Sequence, residues 1–401
     1  MRLGRNKIMA KEDAFPTPLS LNVHVNLRYG PGASHALFDL IKERGYKNIG
    51  LVLDVGLLGN QHFVEFRRRL TEEFPVTHEH VNKEMGPTYD YLDQTVDAFR
   101  GKNIDLVVAV GGGSTLDIGK AIAVLLTNPG LAITYRGVNK IKNASVPFVM
   151  IPTTAGTGSE VIPNAPMVDT KEKRKQGIST SFYHPELVIL DPLFTVSCPR
   201  NVTIAAAMDA LLHHAVDAYI SNEKNELCSF FAKEAVRQIL RALPEVVEYP
   251  ENVEMRGALQ LGALYAGIAL SNGGGGSIAG AASYPLEVSF HIPHGMGVAI
   301  TGLEAVRFNI EKGYEGYGFF SDAIPGVKDG TDMGMKERAD LFYEHLKKLY
   351  QNLGIPRLSK YGVEDTHLSD LAEEISGMPV ANKNPITINA GDMRAILAVC
   401  L

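Results

Sequence analysis

Four short stretches in the first half of the chain are apolar on consecutive residues, without the alternation of a one-sided strand. They are residues 48–54 (NIGLVLD), 105–110 (DLVVAV), 147–151 (PFVMI) and 187–190 (LVIL). Brief unbroken apolarity between polar residues or glycines marks strands covered on both faces, as in a parallel sheet. Helical periodicity occupies the intervals, for instance at 32–44 and 91–102. Strand–helix alternation of this kind predicts an open, parallel α/β sheet. After Pro199 the pattern changes. Apolar residues recur at helical spacing over 202–221, 226–243, 253–270, 296–309, 337–353 and 365–374, with no convincing strand signal. An all-α second half is expected, with 314–335, richer in Gly and Asp, as a loop or small insertion. Four glycines at 273–276 interrupt the helical half. Each interior glycine costs about 0.5–1 kcal/mol relative to alanine, so a helix break with close backbone approach is expected there.

Composition narrows the class. The chain has 401 residues, 45% apolar and 21% charged, enough for a sizeable core and for two domains, or three at most. The boundary is expected near 192–200, with an α/β domain over 1–195 and a helical domain over 196–401. A net charge of −6 favours neither nucleic acid nor an anionic membrane as partner. No run approaches the roughly 20 apolar residues of a membrane helix. Cys198, Cys228 and Cys400 show no CxxC or metal-like spacing, and so sparse and odd a count suits a reducing cytoplasm. The opening MRLGRNKIMAKEDAF is basic but has no apolar stretch behind it, so it does not read as a signal peptide.

Three segments carry candidate chemistry. VAVGGGSTLDIGK (108–120) runs from a buried strand through Gly111, Gly112, Gly113 and Ser114 into a helix. Helix N-termini offer unpaired N–H groups and a dipole that favours anions, so this turn suits a dinucleotide phosphate, or else is a tight turn without ligand. GGGS is not the GxGxxG fingerprint. IPTTAGTGSEV (151–161) places hydroxyls on a glycine-containing turn, fit for ribose, phosphate or carboxamide contacts or for a purely structural loop. In MDALLHHAVDAY, Asp209 and His213 stand four apart and project from one α-helical face, whereas His214 is rotated by about 100° and points elsewhere. A carboxylate and an imidazole on one face suit a divalent metal or a plain Asp–His hydrogen bond. His294, in FHIPHGMG, sits at a helix mouth after Pro293.

Taken in order, these segments resemble the iron-containing alcohol dehydrogenase family. Similar wording continues through YGPGA (29–33), LDP (190–192), AGIALSN (266–272), IPHG (292–295), LGIP (353–356) and NKNPITI (382–388), so the resemblance spans nearly the whole chain. It implies an N-terminal Rossmann-like α/β domain, a helical C-terminal domain and a nicotinamide cofactor in the cleft between them. Gly111, Gly112, Gly113 and Ser114 would cradle the pyrophosphate, with Asp117 on the same helix. Thr153, Thr154, Thr157 and Ser159 would line the cleft. Asp54, just after an early strand, would lie near the adenosine ribose, where a carboxylate accepts from a 2′-hydroxyl and repels a 2′-phosphate; NAD is favoured over NADP. A small alcohol or aldehyde as substrate, and a homo-oligomer, are implied likewise.

The resemblance also implies a metal, iron or zinc, held by one aspartate and three histidines. Asp209, His213 and His294 match three of the positions. The family's GxxHAxAHxLG stretch corresponds here to GSIAGAASYPLE, so Gly280 stands for a ligand histidine and Tyr284 for a second histidine near the substrate. Asp217 stands where glutamate is usual, and SYPL looks more like the phosphonoacetaldehyde-reductase-like branch. Three readings follow: a metal-assisted dehydrogenase with three protein ligands, His291 being a possible substitute for the fourth; a metal-independent reductase with Tyr284, or His294, as acid; and a non-catalytic NAD-binding protein. Dehydroquinate-synthase-like cyclases share the architecture but fit the DALLHHAVDAY and PHG wording less well. Arg136, Lys140 or Lys175 could lend positive charge to an anionic substrate.

Overall fold

A computed structural model describes residue 23 and residues 25–221, 224–328 and 332–401. The opening segment read above for a signal peptide lies outside the described residues, as does part of 314–335.

All four expected strands form, as Ile49–Asp54 (β2), Leu106–Gly111 (β4), Phe148–Pro152 (β6) and Leu187–Leu190 (β9). With Leu27–Tyr29 (β1) and Val76–Asn82 (β3) they make a six-stranded parallel sheet of order β1-β9-β6-β4-β2-β3. The four inner strands are buried almost throughout, which explains their unbroken apolarity. Two apolar clusters cover the two faces. One packs helices Tyr89–Phe99 and Gly113–Leu125 on the sheet, the other helices Ala36–Arg44 and Gln61–Glu73. The expected parallel α/β class therefore stands.

The sequence pattern hid an additional sheet. Gly137–Val138 (β5), Asn164–Asp169 (β7) and Arg174–Ser179 (β8) pair in the order β5-β8-β7, with β7 and β8 antiparallel. The hairpin's charged turn, TKEKRKQ, has no apolar run to announce it, and Lys173 takes φ 48° to close it.

From Arg200 onward the described residues are helical, connected by turns. Helix Glu226–Glu248 runs past Pro244, where the apolar pattern appeared to stop. Helices Ile278–Phe290 and Ala390–Cys400 were not anticipated; the first contains Pro285, a residue that argues against a helix interior. The glycine break appears as expected. Helix Val253–Gly273 ends in the tract, Gly274 takes φ 65°, and a Cβ on Gly273 would stand 2.3 Å from Cys228 Sγ.

One element departs from the expected geometry. The stretch expected as a single α-helix over 202–221 is α-helical over Arg200–Met208, π-helical over Asp209–Val216 and α-helical again over Asp217–Ile220. A π turn holds about one more residue than an α turn, and such turns gather at functional sites.

Candidate active site

The strand β4 delivers Gly111 to the mouth of helix Gly113–Leu125. Gly112 caps that helix and offers no side chain to its first N–H groups, leaving them for an anion. The glycines are also steric necessities. A Cβ on Gly111 would meet Thr115 at 2.6 Å, and one on Gly113 would meet Thr157 at 2.4 Å. The threonine loop thus lies directly against the helix mouth. Thr154 is the nearest neighbour of Gly112, 3.3 Å from its would-be Cβ. Thr153 is buried at the end of β6, its N–H donating to Gly111 O.

Asp54 stands at the C-terminal end of β2, beside the same mouth. Its Oδ1 accepts from Gly56 N at 2.7 Å and its Oδ2 from Thr115 Oγ1 at 3.2 Å. Ser114 Oγ accepts from Gly86 N. Asp117 and Ser159 were both expected at the cofactor. Both are buried around Lys120, whose ammonium lies 2.9 Å from Asp117 Oδ1 and donates to Ser159 O, Ser159 Oγ and Ile162 O. The ion pair is internal to the helix; the hydrogen bonds from Lys120 to Ser159 and Ile162 tie that helix to the threonine loop. Glu160 lies in the same interior, and burial pushes its carboxyl up to about 7.

The donor cluster hangs below that loop. Asp209 is 3% exposed, and its Oδ1 has no hydrogen-bond partner. Burial pushes this carboxyl up to about 6. His294 Nε2 lies 3.6 Å from Asp209 Oδ1. His213 and His294 have ring centroids 5.4 Å apart, so the three expected ligands are neighbours. His214, expected to point away, does not. The π turn swings it inward, with Nε2 3.8 Å from Asp209 Oδ2 and its ring 5.1 Å from that of His213. The spacing alone gave no sign of this; the signal was the His213–His214 doublet in a helix whose pitch the sequence leaves open.

Each imidazole is pinned through Nδ1. His213 Nδ1 donates to Asp217 Oδ2 at 3.2 Å and His214 Nδ1 to Gly156 O at 3.2 Å. Ser283 Oγ gives its own proton to Gly280 O, so it accepts from His294 Nδ1 at 3.0 Å. Burial drives His214 down to about 3 and His294 well below the usual histidine range. Burial also opposes charge on His213, but the hydrogen bond and charge of Asp217 outweigh it and raise this group.

At the rim, the Tyr284 ring lies 5.2 Å from that of His294. Burial, then the negative charges of Asp209 and Glu287, push its hydroxyl up to about 12. Lys175 reaches in from β8 to hold both oxygens of Glu287 at 3.0 and 2.9 Å. Lys175 thus belongs to the site's edge rather than to the open surface, and Glu287 is a neighbour the sequence did not single out. Arg136 is committed to Asp169 and Glu172. His291 is exposed at the end of its helix, with φ 55°.

The two halves match two family models: iron-containing alcohol dehydrogenase over residues 25–192, and the C-terminal region of the Fe-containing alcohol dehydrogenase family over 203–401. The chain belongs to the iron-containing alcohol dehydrogenase family.

Among its relatives is the NAD-dependent methanol dehydrogenase of Bacillus methanolicus, 29% identical over 92% of this chain and 96% of that one. The 1,3-propanediol dehydrogenase of Citrobacter freundii is 32% identical over 72% and 74% of the respective chains. The solved structure of a 1,3-propanediol oxidoreductase superposes with a TM-score of 0.87 at 28% identity, covering 96% of this chain and all of the other. The protein is thus an oxidoreductase of the alcohol dehydrogenase and aldehyde reductase class.

In this iron-containing alcohol dehydrogenase family member, Gly280 stands where the resemblance implies a ligand histidine. A Cβ there would stand 2.4 Å from His213 Nδ1, so the imidazole of His213 fills the space that a side chain at 280 would need. As the side chains stand, no group of three or more His, Cys, Asp or Glu among the described residues is placed to hold a metal ion. The donor chemistry nevertheless fits a divalent cation: a buried carboxylate oxygen without a partner faces imidazole nitrogens whose opposite sides are already anchored.

Proposed function

We propose that this chain transfers a hydride between NAD(H) and a small primary alcohol or aldehyde with the help of a divalent metal, iron or zinc. One observation carries the reading. The threonine loop at the helix mouth is bonded to the donor cluster through Gly156 O and His214 Nδ1, 3.2 Å apart, so cofactor site and donor site are contiguous.

In this proposal Gly111, Gly112, Gly113 and Ser114 receive the pyrophosphate, Thr153, Thr154 and Thr157 border the cofactor, and Asp54 selects the unphosphorylated ribose. A nicotinamide bound there would supply or accept the hydride. Asp209, His213 and His294 would hold the metal, which would supply Lewis acidity to the substrate oxygen. Buried His294 stays neutral and keeps a lone pair for that task. Tyr284 retains its proton and can donate it as a hydrogen bond to the substrate oxygen. A panel of small aldehydes with NADH and with NADPH tests the assignment. Stoichiometric cofactor oxidation with a preference for NADH is expected; no turnover with any aldehyde in either direction contradicts it.

Tyr284 also supports a second, metal-independent reading, because its ring lies beside that of His294 and its hydroxyl keeps its proton. The two readings separate at Tyr284→Phe. The metal-assisted reading expects kcat to fall by less than the roughly hundredfold that loss of a general acid brings.

The division into domains 1–195 and 196–401 is part of the proposal, supported by family models that end at 192 and resume at 203. So is a cytoplasmic location, supported by three free thiols. No helix among the described residues is long and apolar enough to cross a membrane. The homo-oligomer implied by the resemblance is tested by light scattering of the purified protein.

A further inference from the structure

We infer that the π turn gives this chain four protein donors for its metal, Asp209, His213, His214 and His294, with the adjacent histidines both serving and position 280 left empty to admit one of them. The inference rests on the proposed metal-assisted function. It goes further in assigning His214 and in giving Gly280 a reason.

The argument begins with pitch. In an α-helix the residue five positions on from Asp209 lies well off the face shared with the residue four positions on. The π-helical path over Asp209–Val216 turns more slowly, so His213 and His214 flank that face on either side. The rings of His213 and His214 lie 5.1 Å apart, His214 Nε2 lies 3.8 Å from Asp209 Oδ2, and His294 Nε2 lies 3.6 Å from Asp209 Oδ1.

The hydrogen bonds supply the second part. Asp217, Gly156 O and Ser283 Oγ each accept from the Nδ1 of one histidine. All three Nε2 atoms are thereby left as the lone-pair nitrogens, and none makes a hydrogen bond among the described residues. Metal-ligating histidines are oriented in just this manner. The partnerless Asp209 Oδ1, in a side chain 4% exposed, faces the same space. A buried carboxylate oxygen left without any partner is costly, and a cation bound by the Nε2 atoms would remove that cost.

Gly280 completes the case. His213 occupies the place of its absent Cβ, so a larger residue at 280 and the present position of His213 exclude each other. The glycine makes room for a ligand arriving from the π turn.

The test is metal uptake, measured by elemental analysis after anaerobic loading with Fe2+ or Zn2+ and desalting, with the visible absorption of the Co2+ form as a report on the donors. Wild type is compared with His213→Ala, His214→Ala and the double variant His213→Ala/Gly280→His. His214→Asn retains an N–H for Gly156 but lacks Nε2, so it separates loss of a ligand from loss of packing. Thermal melting and NADH binding, read by fluorescence, verify the fold. About one metal per chain is expected for wild type, at least about tenfold weaker uptake for each single variant, and recovery in the double variant. Uptake and a Co2+ spectrum unchanged in folded His214→Asn would overturn the four-donor assignment alone. A wild type that takes up no metal would overturn the functional reading along with it.

Discussion

Asp209 concentrates the energetics of the site in one residue. It is buried and one oxygen has no partner, so without a cation it is a source of instability. Asp209→Asn should raise the melting temperature of metal-stripped protein, by a gain of about 1–3 kcal/mol, and abolish metal uptake. Calorimetry of stripped and loaded samples checks both halves. Glu160 gives a pH signature away from the donors. Burial raises its carboxyl from the ordinary 4.5 to about 7, so the folded state holds a proton that the unfolded state releases. Its contribution is most favourable below pH 4.5 and is lost as pH rises through 7, an effect on the order of 3 kcal/mol at most. Glu160→Gln should therefore gain stability relative to wild type between pH 5 and pH 8, as followed by urea unfolding at each pH. A constant difference across that range would contradict the assignment of the proton to this group. At the helix mouth, Gly113→Ala places a Cβ 2.4 Å from Thr157. It should destabilise by about 1–3 kcal/mol and raise the KM for NADH.

At the scale of elements, legibility followed burial. The strands β2, β4, β6 and β9 could be read because both of their faces are covered, which forces apolar residues at every position. Edge strand β3, VTHEHVN, is only partly buried along most of its length, and its polar residues concealed it. The β7–β8 hairpin was hidden by its charged turn, and helix Ile278–Phe290 by Pro285. The glycine-rich mouth, the threonine loop and three of the donors were legible as motifs. His214 was not, because an Asp followed four residues later by His fits α and π pitch alike, and only the path of the backbone decides where the fifth residue points. Removing one residue from the turn tests its role directly. Deleting His213 should convert Asp209–Val216 to α-helical pitch and leave Asp209 and His214 four apart. The fold should survive, seen as unchanged NADH binding, while metal affinity falls.

At the scale of the whole molecule, the C-terminal ends of the sheet's inner strands and the helical half meet where the threonine loop touches the π turn. The hydrogen bonds of buried Lys120 to Ser159 and Ile162 fasten that loop to the sheet's helix from one side, and the Gly156–His214 hydrogen bond fastens it to the donors from the other. Cofactor binding and metal binding are therefore expected to be coupled, each ordering the loop for the other; a coupling of about 1–3 kcal/mol is typical. Loading with metal should tighten NADH binding by the same factor by which NADH tightens metal binding. Lys120→Met leaves Asp117 without its counter-charge and should cost about 3–5 kcal/mol, with a weakened coupling, measurable by titrating NADH into loaded and stripped variant.

The most direct measurement is NADH oxidation with a small aldehyde, compared between chelator-stripped protein and the same protein reloaded anaerobically with iron or zinc. Metal-assisted hydride transfer predicts turnover in the loaded sample, its loss on stripping and its return on reloading. Equal turnover in the stripped protein would contradict the metal-assisted mechanism and move the chemistry to Tyr284.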